Sequence, residues 1–301
     1  MRKLIVIIVH ICLLIVTFTM LVCLPTLFLD GKEIGFYGKA FLFQIADVLS
    51  SMLHPSQLKI IIGTQVSTIA NHFEEEYIMQ QTEYPFFPIV IKPYLYSLGL
   101  ILGAFLVTVL LAIISSIVTA MLPRKIRKVI EEAAAILKTV PDVFLIFFIQ
   151  LLIIGVYKKL DFLVLNPIST ERHPSIVLPI LILSVLPTIS LFQLQLLLIR
   201  EEQQRDYVTF ARARGFSETY ILCKHIFRNV IVSLMNHAQY ILLILVTNLF
   251  IFEYMFQAKG ILSIITSGQH PAVIVYLLLL FIIPIYGILL FIQWRKEKMY
   301  A

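Results

Sequence analysis

Residues 205–216 read RDYVTFARARGF. The stretch is polar, basic and helix-forming, and long apolar runs flank it on both sides. A connector at such a place has only to be short and soluble. This one has internal order: an acidic start at Asp206, alanines at 211 and 213 interleaved with arginines, and a glycine stop at Gly215. Glu201, Glu202 and Asp206 are read as acids near a helix start, where the helix dipole favours negative charge. Ala211 and Ala213 are small enough for another surface to approach the backbone closely. Gly215 tolerates positive φ and so ends the helix. Ser217 is then placed to cap a second helix, with Glu218 in its first turn. The spacing predicts helix, turn and helix within 200–229. From the residues alone two readings stay open, an ordinary basic loop and a docking element for a partner.

The flanking runs set the solvent. The chain is 59% hydrophobic and 14% charged, with a mean hydropathy of +0.93. Ordinary globular proteins carry roughly 25% charged residues, and a bilayer-spanning helix needs about 20 apolar ones. Runs 4–24 and 95–121 meet that length cleanly, and 175–199, 230–252 and 272–292 nearly so. Run 142–157 is shorter. It reaches spanning length only if its helix starts near Glu131 and passes Pro141, which would kink it. The expectation is an all-α integral membrane protein with six transmembrane helices. Arg2 and Lys3 resemble the basic start of a signal peptide, but the long apolar run and the lack of a small-x-small site predict a retained anchor over 1–24. Pro167, Pro174, Pro179 and Pro187 mark the start of the fourth span and predict an irregularity inside it.

Charge then orients the spans. With the N-terminus inside, segments 1–3, 122–141, 200–229 and 295–301 carry sixteen Lys and Arg, and the outer segments 25–94, 157–174 and 253–271 carry eight. That asymmetry follows the positive-inside rule, with both termini cytoplasmic. Arg124, Lys125, Arg127 and Lys128 fall at the anionic inner leaflet. The outer segment 25–94 is the largest soluble piece. Within 57–81, Leu58, Ile61, Ile62, Val66, Ile69 and Phe73 recur at three- and four-residue steps and predict an amphipathic helix, followed by Glu74, Glu75 and Glu76. The segment reads either as a small cap on the outer mouth or as a contact surface for an external delivery protein.

Polar residues inside spans are costly and therefore informative. Gln193 and Gln195 lie in the fourth run; Asn236, His237, Gln239 and Asn248 lie in or near the fifth. They either line a pathway or bond helix to helix. Gln195 is set aside as too near the cytoplasmic end. Cys12, Cys23 and Cys223 match no metal or redox spacing and read as buried apolar fillers. The seven histidines are scattered, giving no metal site. Gly38-Lys39 lacks both the earlier Gly and the following Ser/Thr of a phosphate loop. No catalytic constellation or bound cofactor is expected, so ATP, if used, binds another chain.

Three blocks then resemble a known family. EQQRDYVTFARARG (202–215) resembles the EAA loop of permease subunits of binding-protein-dependent ABC importers. More narrowly it is similar to the oligopeptide/dipeptide/nickel branch, whose loop reads roughly D-Y-V-x-x-A-R-A-K-G. KHIFRNVI (224–231) is similar to that branch's R-H-x-L-R-N, and FEYMF (252–256) to its V-E-x-x-F. The turn after the first span, the stretch 258–261 and the C-terminal end depart from the branch's pattern, which marks a divergent member.

The resemblance implies a type I ABC importer permease fold, with an N-terminal span, the outer segment 25–94, and a five-span core over 95–301. It implies ATPase-coupling roles for Asp206, Tyr207, Ala211, Ala213 and Gly215, and leaves Gln193, Asn236, His237, Gln239 and Asn248 as pathway-lining candidates. The implied partners are a second permease subunit, two cytoplasmic ATPase subunits that bind ATP, and an extracellular solute-binding protein, at the cell membrane. The implied solute is a short peptide, with a nickel chelate or another small solute as alternatives. Two other classes stand beside it. One is a membrane receptor or assembly subunit that senses through 25–94 and recruits through 200–229. The other is an ion-coupled secondary transporter with His237 as its buried ionisable group.

Overall fold

In the computed structural model, which describes residues 2–30, 33–71, 74–160, 176–256 and 258–300, the apolar runs are helices. The first is α1 (Arg2–Cys23); the fixed φ of Pro25 then opens the short α2 (Pro25–Phe28). Strands β1 (Leu29–Asp30) and β2 (Glu33–Ile34) pair antiparallel and lead into α3 (Gly38–Met52). A second, longer hairpin follows. Its strands β3 (Lys59–Asn71) and β4 (Glu74–Pro85) pair from Lys59↔Pro85 onward, with an irregularity between Ile69 and Asn71.

The amphipathic helix expected over 57–81 is therefore corrected to a hairpin. The stretch is rich in β-branched residues (Ile60, Ile61, Ile62, Thr64, Val66, Thr68, Ile69), which pack well on a pleated surface and lose χ1 freedom in a helix. Gly63 would cost a helix interior about 1 kcal/mol. Phe73, a member of the expected series, lies outside the described residues.

Helix α4 (Phe86–Ile89) precedes α5 (Ile91–Met121). Helix α6 (Arg124–Thr139) starts after Pro123, and Val140 is extended, as a residue before proline tends to be. Helix α7 (Asp142–Leu160) then sets off at 103° to α6. The start of this run relative to Pro141, which the sequence left open, thus falls after the proline, with separate helices on either side. Length is recovered at the far end, since α7's 19 residues reach about 28 Å at the usual rise per residue.

Helix α8 (Val177–Glu202) carries Pro179 in its first turn and runs through Pro187 without a break, so the expected irregularity is absent there. Pro167 and Pro174 lie outside the described residues. Next come α9 (Asp206–Ala213), α10 (Glu218–Tyr220), a π-helical stretch Ile221–Ile226, α11 (Phe227–Met235) and α12 (Ala238–Met255). The fifth run, expected over 230–252, is thus broken at Asn236-His237. Helices α13 (Ile261–Ile265) and α14 (Pro271–Tyr300) close the chain.

Helices α5, α8, α12 and α14 are each long and apolar enough to cross a membrane. The bent pair α6–α7 supplies a fifth candidate, and α1 contributes the apolar stretch Ile7–Cys23. The all-α expectation holds for the spans, while the outer segment adds the two ribbons. Of the cysteines expected to be buried, only Cys23 is; Cys12 and Cys223 are exposed.

Two compact units divide the chain, 1–96 with 259–284, and 97–258 with 285–301. In the first, Val48, Leu58, Ile60, Phe86, Val90 and Val273 are buried, and Phe86 meets Tyr276 edge-on at 5.2 Å. In the second, α8 packs on α12, and Leu183, Leu191, Leu242 and Leu245 are buried. A Cβ on Gly103 would lie 2.5 Å from Ile180 Cδ1, so the glycine is what lets α5 approach α8 this closely.

Candidate functional site

The site grows out of the last turn of α8. Glu201 and Glu202 belong to that turn, not to the start of a new helix as expected. A carboxylate at a helix C-terminus faces the unfavourable end of the dipole. Glu202 is offset by its partners: it accepts a hydrogen bond from Tyr207 Oη at 2.6 Å and one from Asn229 Nδ2 at 3.2 Å, and Arg205 Nε lies 3.9 Å away. Asn229 Nδ2 also reaches Tyr207 Oη at 3.3 Å. Burial, then the bond to Glu202, pushes the Tyr207 phenol up to about 12. The triad ties α8, α9 and α11 together at one point.

Beneath α9 lies an apolar cluster. Val208 and Ala211 face inward against Ile199, Ile221, Leu222, Ile226 and Val230. Ala211, at 6% exposure, is small because its own chain packs on it. Asp206, Ala213 and Gly215 point the other way and are exposed. The five expected coupling residues therefore split: Ala211 and half-buried Tyr207 fix the helix, and the other three lie on its open side.

The turn after α9 is the one that its residues call for. Gly215 has φ +82°, its N–H bonds the Arg212 carbonyl at 2.9 Å, and Phe216 N–H bonds the Ala211 carbonyl at 3.3 Å. Those two bonds make a Schellman ending. Ser217 Oγ accepts from Tyr220 N–H at 3.4 Å, the cap its position suggested. Arg212 clamps across the turn to Glu218, with Nε–Oε1 at 2.6 Å and Nη2–Oε2 at 3.2 Å, which holds the Glu218 carboxyl below its ordinary range.

The open side also carries groups that the sequence reading passed over. Phe210 is 65% exposed. The Arg214 guanidinium lies 5.8 Å from its ring centre and 5.7 Å from that of Phe216. Phe216 stacks on Tyr220 at 5.1 Å, and Lys224 Nζ donates to Tyr220 Oη at 2.6 Å. Exposed aromatic rings interleaved with arginine are the composition of a protein contact. The signal was visible in the sequence as Phe210, Phe216 and Tyr220 flanking the basic residues.

The profile of the family described as "Binding-protein-dependent transport system inner membrane component" matches residues 108–294, which contain this whole site. The chain belongs to that family. Among solved structures, a chain of the MetNI methionine ABC transporter, captured in inward-facing conformations, is similar over 70% of this chain and 94% of its own. Identity is 15% and the TM-score 0.51, so the likeness is one of fold. No curated protein matches the sequence. The helical membrane architecture is that of a type I ABC importer permease.

In this permease the pathway candidates are spread out. Gln193 is half-buried in α8, and Asn248 is buried in α12 at 2% exposure. Asn236 and His237 form the break before α12, and Gln239 is exposed in its first turn. The polar contacts between spans run through other residues. Ser116 donates to Gln195 Oε1 at 2.7 Å, so Gln195, set aside from sequence, is fully buried and joins α5 to α8. Ser97 donates to the carboxylate of Glu253, itself 3% exposed, which joins α5 to α12. Glu253 sits in the FEYMF block, and its spacing from Ser97 gave no sign of the pair.

Proposed function

We propose that this permease is one membrane subunit of an importer of the oligopeptide/dipeptide/nickel branch, moving short peptides handed over by an external solute-binding protein. The observation that carries the reading is the build of 202–216. A short helix bearing the D-Y-V-x-x-A-R-A-x-G pattern is fixed on its inner side by Val208, Ala211 and Tyr207, and presents Asp206, Phe210, Ala213, Arg214 and Gly215 outward. A helix tied on one side to the span α8 and on the other to α11 moves with them as a block. An ATPase surface docked on its open side would pass its closure to α8 and α11. Access to the solute would then alternate with no chemistry in this chain. Both termini and 200–229 are cytoplasmic in this reading, ATP binds the two partner ATPases, and a second permease completes the pathway. Gln193, Asn236, His237, Gln239 and Asn248 are the groups proposed to offer hydrogen bonds along it.

A second reading takes a single amino acid as solute, as in the methionine transporter of similar fold. One experiment tests both. The tagged chain is recovered from native membranes in mild detergent, its companions are identified, and the co-purified binding protein is screened against peptides, amino acids and nickel chelates. Recovery of an ATPase, a second permease and a peptide-binding protein is the expected result. An amino-acid-binding companion would favour the second reading. Recovery of the chain alone, or with a signalling partner, would overturn the coupling account.

A further inference from the structure

We propose that α6 is a membrane-surface helix, seated with one apolar face in the bilayer interface and its basic residues on anionic lipid headgroups. The helix reads RKIRKVIEEAAAILKT. At 3.6 residues per turn, Ile126, Val129, Ala133, Ile136 and Leu137 share one arc, Arg124, Lys128 and Lys138 fall on the far side, and Lys125 and Glu132 border the arc. None of its sixteen residues is buried. Ile126, Val129, Ile136 and Leu137 are 50%, 65%, 67% and 42% exposed.

That apolar arc is not the face that holds α6 to the rest of the chain. A different flank, with half-buried Arg127, Ile130, Glu131 and Ala134, meets α8. There Arg200 Nη2 donates to both Glu131 oxygens, at 2.7 and 2.8 Å, and Arg127 Nε lies 4.0 Å from Glu131. The contact fixes the rotation of α6 about its axis, and with it the direction in which the apolar arc points.

Two further observations choose a lipid surface as what covers the arc. First, α7 leaves α6 at 103°, so a helix that crosses the bilayer as α7 leaves α6 running nearly in the membrane plane. Second, α6 carries five Lys and Arg against two Glu. Glu131 is engaged by Arg200, and Glu132 lies 3.6 Å from Lys128. A basic amphipathic helix parallel to the interface binds anionic bilayers through buried apolar area plus headgroup attraction. The Arg200–Glu131 pair then links that anchored helix to the last turn of α8, directly before α9. Headgroups thereby brace the segment from which the loop 202–216 projects. The inference requires only that the chain crosses a bilayer, as its family does, and is independent of the solute and of the ATPase reading.

The test uses the full chain with its three cysteines replaced, reconstituted in vesicles of phosphatidylcholine with or without phosphatidylglycerol. Spin labels are placed singly at Val129 and Ile136 on the apolar arc, and at Ala135 away from it. With phosphatidylglycerol present, the labels at 129 and 136 are expected to be relaxed by oxygen and shielded from a water-soluble nickel chelate, and the label at 135 to show the reverse. Omitting phosphatidylglycerol, or introducing Lys125→Gln with Lys128→Gln, should raise nickel access at 129 and 136 severalfold. Nickel reaching 129 and 136 as freely as 135 would overturn the proposal. So would shielding of both positions from both reagents, the mark of a protein neighbour, or a depth indifferent to headgroup charge.

Discussion

Gly215 shows how much one residue decides here. Its φ of +82° lies in the region that side chains disfavour by about 1–2 kcal/mol. No atom lies within 4 Å of where a Cβ would be, so the cost of substitution is in the backbone and not in packing. Gly215→Ala should therefore leave the chain inserted and lower solute uptake modestly. Gly215→Pro also removes the N–H that bonds Arg212 and demands φ near −65°. We expect it to insert normally, to lose uptake in reconstituted vesicles, and to leave ATP hydrolysis by the assembled complex insensitive to solute. Full uptake by the proline variant would remove the turn from the mechanism. Gly215 and Ser217 could be read from sequence because turn and cap chemistry is local. The Glu202–Tyr207–Asn229 triad could not. Two of its members are 27 residues apart, and only the fold of α11 back onto α8 brings them together.

At the scale of elements, the spans were legible because lipid leaves an apolar run of that length no way to satisfy its backbone except as a helix. Outside the membrane that constraint lapses, and the isoleucine-rich stretch 57–69 fitted a helical period while its β-branched content favoured a strand. The hairpin base is held in a way that no periodicity reveals. Gln269 Oε1 accepts from Ile61 N–H at 2.9 Å, and its Nε2 donates to the Ile61 carbonyl at 2.7 Å. One side-chain amide thus serves the outer edge of β3 as a neighbouring strand would, and links it to the chain just before α14. Gln269 is itself buried at 6% exposure. Gln269→Ala leaves both Ile61 groups without this partner, at about 1–3 kcal/mol locally. Amide exchange at Ile61 should then quicken by about tenfold or more, the equivalent of 1.4 kcal/mol, with α5 and α8 unchanged. Gln269→Glu keeps the acceptor for Ile61 N–H and should fall between. Exchange at Ile61 that is the same in all three proteins would mean that the amide does not hold the hairpin.

For the whole molecule, orientation is the property on which the functional reading rests, and it follows from charge and not from fold. Sixteen Lys and Arg against eight favour a cytoplasmic 200–229, the side on which the proposed ATPase would dock. The chain carries its own reporter. Cys223 is exposed beside the candidate docking surface, whereas Cys23 is buried and Cys12, though exposed, lies within an apolar helix where a reactive thiolate does not form. A membrane-impermeant maleimide applied to intact cells should therefore leave Cys223 unmodified, and should label it once the membrane is permeabilised. Glu83→Cys, on β4 where the native side chain is 59% exposed, should react without permeabilisation. The opposite pattern would invert the topology. The aromatic and basic row from Phe210 to Lys224 would then face the external medium, where no ATPase can reach it, and the receptor reading would become the stronger account of the loop. The expected pattern would instead confine every soluble partner of α9 to the cytoplasm and leave the hairpin facing the delivery side, which is the arrangement that import requires.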